Sequence, residues 1–151
     1  FIRPDEISFG SNVFISRNFH ISARNLSFGN DIMIGPNLVI ECDNHKMDIV
    51  GNSMFKNRDI RTGDFVKLEN DIWIGANVTI LTNAIISEGT IVGANSVVNK
   101  SLPPYSICVG TPCRPIKTRF SMTELEEHLE LIKSKYTLND VIKIWRKYEL
   151  I

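Results

Sequence analysis

The sequence predicts a mainly β protein, a parallel β-helix of about four coils around a triangular prism, with one long loop and a C-terminal helical extension. Three observations carry this. Large apolar residues recur every six positions, residues that tolerate a left-handed backbone recur at the same interval, and after Pro115 the period becomes that of a helix.

Hexads begin at Ile7, Val13 and Phe19 and, after one extra residue, at Leu26, Ile32 and Leu38; they resume at Val66, Ile72, Val78, Ala84, Thr90 and Ser96. Their third place holds Phe9, Ile15, Ile21, Phe28, Ile34, Ile40, Leu68, Ile74, Ile80, Ile86, Val92 and Val98. Alternation inside each hexad is the two-residue period of a strand, with places one and three facing inward. In the first eleven hexads the sixth place reads Asn12, Asn18, Asp31, Asn37, Asp43, Asp71, Asn77, Asn83, Gly89 and Asn95, with Arg24 and the extra Asn25 as the outlier. These residue types accept positive φ at least cost. A short strand and a tight corner every six residues wind a chain around a prism, three hexads to the turn. An antiparallel meander would scatter its turn signals and lose the apolar register.

Between Asp43 and Val66 the repeat stops, so residues 44–65 form an insertion of twenty-two residues. It is polar, with Lys46, Asp48, Asn52, Lys56, Asn57, Arg58, Asp59, Arg61 and Asp64, and it has no regular period, so it reads as a protruding loop with a task. His45 stands at its root. In the tail, Ser121 and Glu124 form a capping box ahead of Leu125, Leu129 and Ile132; Thr137 and Asp140 start a second helix carrying Val141, Ile144, Trp145 and Tyr148. Two amphipathic helices therefore cover the open end of the prism or pack on a neighbouring subunit. The division expected is 1–120 for the repeat domain and 121–151 for the helical extension.

Of the 151 residues, 17 are Lys or Arg and 17 Asp or Glu, a formal net charge of zero, which gives no electrostatic case for a nucleic-acid or anionic-membrane partner. Cys42, Cys108 and Cys113 are odd in number and lack CxxC spacing, which argues against a disulfide framework and a zinc site and suits a reducing compartment. No apolar run approaches a membrane span and no signal peptide is visible, so a cytoplasmic location is expected. Phe1 stands just ahead of the first hexad, which leaves an upstream segment open.

The stretches NDIWIGANVTIL, GTIVGANSVV and LPPYSICVGTPCRPIK resemble the hexapeptide-repeat acyltransferases, over roughly residues 7–118. The likeness is to the branch holding maltose and galactoside O-acetyltransferases and bacterial polysaccharide O-acetyltransferases. It implies a left-handed coil, acetyl-CoA as co-substrate with no metal, and a homotrimer with the active site between adjacent prisms. The run VIECDNHKMD matches the family's placement of a histidine at the start of such a loop, which makes His45 the catalytic base. Transfer of acetyl from a thioester to a sugar hydroxyl needs a proton taken from an alcohol un-ionised at neutral pH, and imidazole has the basicity for it. Protonated His45 would then serve the leaving thiolate, and the resemblance assigns the Ala76 N–H to the oxyanion. A carboxylate or carbonyl should hold the imidazole tautomer; Asp43, Glu41, Asp48 and Glu69 are candidates, Asp43 preferred.

Further positions follow from the same resemblance. Trp73 stands beside the active site, and the small Ala76 and Ala94 let the pantetheine arm approach the backbone. Asn99 and Lys100 match a Thr-Lys pair at the cofactor, with Asn in place of Thr; Arg114 and Lys117 match basic residues near the adenosine phosphates. His20, in GSNVFISRNFH, takes the place of a Tyr in the galactoside branch. With Asp43, Asn44 and Trp73 it makes the acceptor-side set. The segment that follows, ISARN, departs from the family's ANFN, so galactoside-type acceptor contacts are not expected. Cys42 allows a covalent thiol route, which the neighbouring Asp43 disfavours. Two other classes share the prism: a non-catalytic assembly protein, which needs neither the loop nor His45, and a γ-type carbonic anhydrase, which needs three His ligands where this chain offers His20, His45 and His128.

Overall fold

The computed structural model describes residues 6–59 and 63–151; Arg61 and Phe1 of the readings above lie outside the described residues. Strands, numbered in chain order, form three main sheets that serve as faces of a prism. Face one stacks β1 (Glu6–Phe9), β4 (Asn25–Phe28), β9 (Phe65–Leu68) and β12 (Ala84–Ile86). Face two stacks β2 (Val13–Ile15), β5 (Ile32–Ile34), β10 (Ile72–Ile74), β13 (Ile91–Val92) and β15 (Ser106–Val109), closed by the antiparallel β16 (Arg114–Thr118). Face three stacks β3 (His20–Ser22), β6 (Val39–Glu41), β11 (Thr79–Leu81) and β14 (Val97–Val98). All pairings within the stacks are parallel apart from β15 with β16.

The hexads pair in register: Ile7 with Leu26, Leu26 with Val66, and Val66 with Ala84 on face one. Third-place side chains from Ile21 onward fill the interior, each at most 3 % exposed. Burying one such aliphatic side chain contributes about 1.5–3 kcal/mol, and first-place residues such as Ile32, Leu38 and Val78 are buried beside them. Phe9 departs from the inward rule at 52 % exposed: among the described residues β1 is the terminal strand of face one, and Phe9 stacks on Phe28 at 4.9 Å.

Of the sixth-place residues, Asn12, Asn18, Asp31, Asn37, Asp71, Asn77, Asn83 and Asn95 have φ between 54° and 63°, and Gly89 has φ 74°. Between faces two and three the amides bond to one another, Asn37 Nδ2 to Asn77 Oδ1 at 2.6 Å and Asn77 Nδ2 to Asn95 Oδ1 at 3.0 Å. Asp43 is the exception: it is not left-handed, so its sixth place does not make it a corner residue.

Helices α1 (Met122–Leu131) and α2 (Leu138–Lys147) begin at complete capping boxes on Ser121 and Thr137. Leu125, Leu129, Val141 and Trp145 bury against Tyr105 in a second core, and Trp145 Nε1 donates to the Pro104 carbonyl at 2.7 Å. The helices thus pack on the chain just after the last coil. Ile132 and Tyr148, expected on the apolar faces, stand 44 % and 40 % exposed as the C-caps. A polar lock ties the connection between helices to the prism: Glu69 accepts from Lys135 Nζ and, at 2.9 Å, from the Tyr136 hydroxyl. Burial pushes the Glu69 carboxyl up, but the bonds from Lys135, the Glu88 N–H and Tyr136 outweigh it, and its pKa lies below the ordinary value.

Candidate active site

Strand β6 continues its ladder through Cys42, whose N–H donates to the Ser22 carbonyl at 2.8 Å, and the chain then leaves the coil at Asp43. The departing segment is not featureless. β7 (Asn44–His45) pairs antiparallel with β8 (Arg58–Asp59), setting His45 opposite Arg58, and the Lys46 N–H donates to the Asn57 carbonyl at 2.8 Å. A 3-10 turn at Met54–Lys56 folds back onto this hairpin.

That turn aims the Met54 carbonyl at His45, 2.8 Å from Nδ1. A carbonyl only accepts, so Nδ1 carries the proton and neutral His45 presents the lone pair of Nε2. The preferred orienter Asp43 is therefore corrected: its carboxylate takes Arg58 Nη2 in an ion pair and the Ser22 hydroxyl at 3.4 Å. Glu41 instead accepts the Asp43 N–H at 3.0 Å and lies 3.8 Å from His20 Nε2, and Glu69 is held at another corner by Lys135 and Tyr136. Cys42 is 4 % exposed, and burial raises its thiol pKa, as do the nearby Asp64, Glu41 and Asp43; it stays a protonated thiol beneath the hairpin. Cys108 is pushed up to about 12 by burial.

The remaining positions distribute over three places. Ala76 and Ala94 stack at the corner between faces two and three, where a Cβ on Gly75 would come within 2.6 Å of the Ala94 nitrogen. The coils approach too closely there for larger groups. Asn99 and Lys100 lie on the hexad leading to the corner from which the His45 hairpin leaves, and Arg114 Nη1 donates to Asn99 Oδ1 at 3.1 Å. Trp73 points outward from face two, 53 % exposed, in register with Met33 and, one strand further, Phe14; Lys117 pairs with Ile107 on the same sheet. His20 is on face three, and Asn44 pairs with Asp59. Within one chain, Trp73 and His45 are not brought together: face two is the one face that does not adjoin the corner carrying the hairpin.

Sequence reasoning missed Arg58 and Met54. Arg58 was visible only as one of several loop charges, and the group contributed by Met54 is a backbone oxygen, which any residue supplies. Among the described residues no group of three or more His, Cys, Asp and Glu is placed to hold a metal ion, and no helix is long and apolar enough to cross a membrane.

Comparison with known proteins agrees with this architecture. The bacterial transferase hexapeptide repeat (six repeats) matches residues 65–100. The galactoside O-acetyltransferase of Escherichia coli K12 is 30% identical over 121 residues, 76% of this chain and 58% of that protein. A putative lipopolysaccharide biosynthesis O-acetyltransferase of the same organism is 34% identical over 127 residues, 80% of this chain and 65% of that protein. A hexapeptide-repeat-containing acetyltransferase from Vibrio cholerae O1 biovar eltor, solved with acetyl coenzyme A, superposes with a TM-score of 0.65 at 28% identity, covering 76% of this chain and 61% of that one. The chain spans less than two thirds of the length of each of these relatives. Its stacked hexads, the matched repeats and these likenesses together place the chain in the hexapeptide-repeat family of bacterial transferases.

Proposed function

We propose that this protein is an acetyl-CoA-dependent O-acetyltransferase that modifies a sugar hydroxyl, in a surface polysaccharide or its precursor, on a left-handed β-helix with His45 as general base. The observation that carries this reading is the bond from His45 Nδ1 to the Met54 carbonyl, which leaves Nε2 as an acceptor on an exposed hairpin at the one opened corner. His45 Nε2 takes the hydroxyl proton as the alcohol oxygen attacks the thioester carbonyl. The carbon–oxygen bond forms, the carbon–sulfur bond breaks, and His45 returns the proton to the thiolate. The Ala76 N–H is the proposed oxyanion donor. Ala76 and Ala94 would line the pantetheine path; Asn99, Lys100, Arg114 and Lys117 would hold the nucleotide end. Asp43, Asn44, His20 and Trp73 would contact the acceptor. The galactoside and lipopolysaccharide activities named for two relatives support a sugar acceptor.

A homotrimer fits this reading for a physical reason. The hairpin arm exposes Met47, Val50 and Phe55, the last 90 % exposed, and face two exposes Phe14, Met33 and Trp73. Contiguous exposed apolar side chains favour an interface. Docking the arm of one copy on face two of the next covers both patches and carries His45 toward the neighbour's Trp73.

The test is CoA release from acetyl-CoA with a panel of sugars and nucleotide-sugars, for wild type and His45→Ala. A loss of about 10² to 10⁴ in turnover with acetyl-CoA binding retained is expected. Equal turnover on a good acceptor removes His45 from the base role, and no turnover or acetyl-CoA binding by either protein sinks the enzymatic reading.

A further inference from the structure

A cleft of about 470 Å³ lies at the corner between faces one and two, where the connection from α1 to α2 overhangs the prism. It is a different corner from that of His45. Its acceptors are partly consumed. Asp71 takes Arg119 Nη1 at 2.6 Å, and Glu88 takes the Tyr105 hydroxyl at 2.5 Å, the Ser134 hydroxyl and, at 3.3 Å, Asn70 Nδ2. Several donors lining it are not. Asn30 spends its Oδ1 on the Ser11 N–H and keeps its Nδ2. His128 Nε2 is buried without a hydrogen-bond partner among the described residues, Asp71 Oδ2 standing 3.8 Å away. Lys133 has no ion pair among the described residues, and it lines the same cleft.

The backbone of Lys133 is set by the end of α1. It follows the C-cap of α1 with φ 53°, in the place where helices favour glycine, while the Ser134 N–H closes the end on the Leu129 carbonyl at 3.0 Å. Glu149 takes the same place after α2 with φ 56°, so this is the conformation of a helix end, and it fixes where the Lys133 side chain leaves the backbone. Asp31, whose Oδ1 takes Asn12 Nδ2, offers one further carboxylate oxygen, and the exposed Ile132 gives an apolar edge. Spare donors beside two spare carboxylate oxygens, one each on Asp31 and Asp71, and an apolar wall suit a ligand with an anionic group, hydroxyls and a carbon–hydrogen face. The volume suits one monosaccharide unit.

We infer that this cleft is a second binding site, separate from the acetyl-transfer centre, for a saccharide unit carrying an anionic group, with the Lys133 ammonium and His128 Nε2 as its principal donors. The inference goes beyond the proposed activity and is read without turnover, so the two fail independently. The experiment is an NMR titration of the His128 imidazole in the full chain with D-galacturonate, D-galactose and inorganic phosphate, for wild type and Lys133→Gly. Glycine suits φ 53°, so the variant keeps its melting temperature. The expected result is a saturable shift with galacturonate, binding about tenfold weaker for galactose, and loss of that preference in Lys133→Gly, as for removal of one charge-assisted hydrogen bond. The inference is overturned if galacturonate gives no saturable shift, if Lys133→Gly leaves it unchanged, or if phosphate binds as tightly as galacturonate, which would leave an anion site with no place for a sugar.

Discussion

At the corner between faces two and three, Asn37, Asn77 and Asn95 turn the chain with the same left-handed residue in each coil and pass a hydrogen bond from amide to amide. At the corner between faces three and one, Asp43 occupies the equivalent place, keeps an ordinary φ, gives its carboxylate to Arg58 and releases the chain into the His45 hairpin. The first corner draws its stability from repetition, the Asn77 amide being held by the coils on either side. The second is held by a two-residue hairpin ladder, the Asp43–Arg58 ion pair and the Met54 carbonyl contact, and it leaves His45 facing solvent. Stability and candidate chemistry are thereby assigned to different edges of one prism.

That separation is breakable by substitution. His45→Ala, expected to have the largest effect, should abolish most turnover while changing unfolding free energy by no more than about 0.5 kcal/mol, because the imidazole is exposed. A thermal melt run beside the CoA-release assay checks both halves, and a large drop in stability would mean the two corners are not independent. Asn77→Ala should do the reverse. It forces a β-carbon side chain without a polar partner into φ 57° and removes two amide bonds, at a cost of about 2–4 kcal/mol. Asn77→Gly, which keeps the backbone conformation, should cost roughly half of that by urea unfolding.

Arg58→Ala sharpens the comparison at the opened corner. The pair it makes with Asp43 is 43% and 30% exposed at the side chains, so stability should fall by no more than about 1 kcal/mol. Turnover should fall between about tenfold and 10²-fold if the hairpin positions the base; unchanged turnover would show that the Met54 carbonyl suffices. The smallest effect belongs to the third corner. Glu69 has a lowered pKa in the folded state, so its contribution is present above the ordinary carboxylate pKa and is lost as pH falls through the lowered folded value. Melting temperature followed from neutral pH into that acid range should decline through this site, and Glu69→Gln should flatten the decline; an identical slope in the variant would assign it to other carboxylates.

The strand register was legible because two signals coincide in each hexad, an inward aliphatic at the third place and a residue at ease with positive φ at the sixth. Both are local, and the pairing of Leu26 with Val66 across the twenty-two-residue insertion follows once they are counted. The capping boxes at Ser121 and Thr137 were legible for the same reason. What escaped was set by distance or by backbone. The exposure of Phe9 depends on its strand being terminal in the stack, which no hexad records. The orientation of His45 depends on a carbonyl nine residues away, in a turn with no periodic signature. That Trp73 stands, within one chain, on the face that does not adjoin the His45 corner is a relation visible only when the coils are stacked.

The regularity of the coil also governs how such a protein can change length. In the coil that follows the insertion, partners on successive strands are eighteen residues apart, as from Val66 to Ala84, Trp73 to Ile91 and Thr79 to Val97. A gain or loss of eighteen residues returns every later side chain to its own face with the amide stack intact. A gain of six moves everything downstream by a third of a turn, and Asn95 would then leave the column of Asn37 and Asn77 for another edge. Growth of the prism is therefore quantised in whole coils, and a loop at a corner is the form in which a length outside that quantum can be accommodated without turning the rest of the molecule.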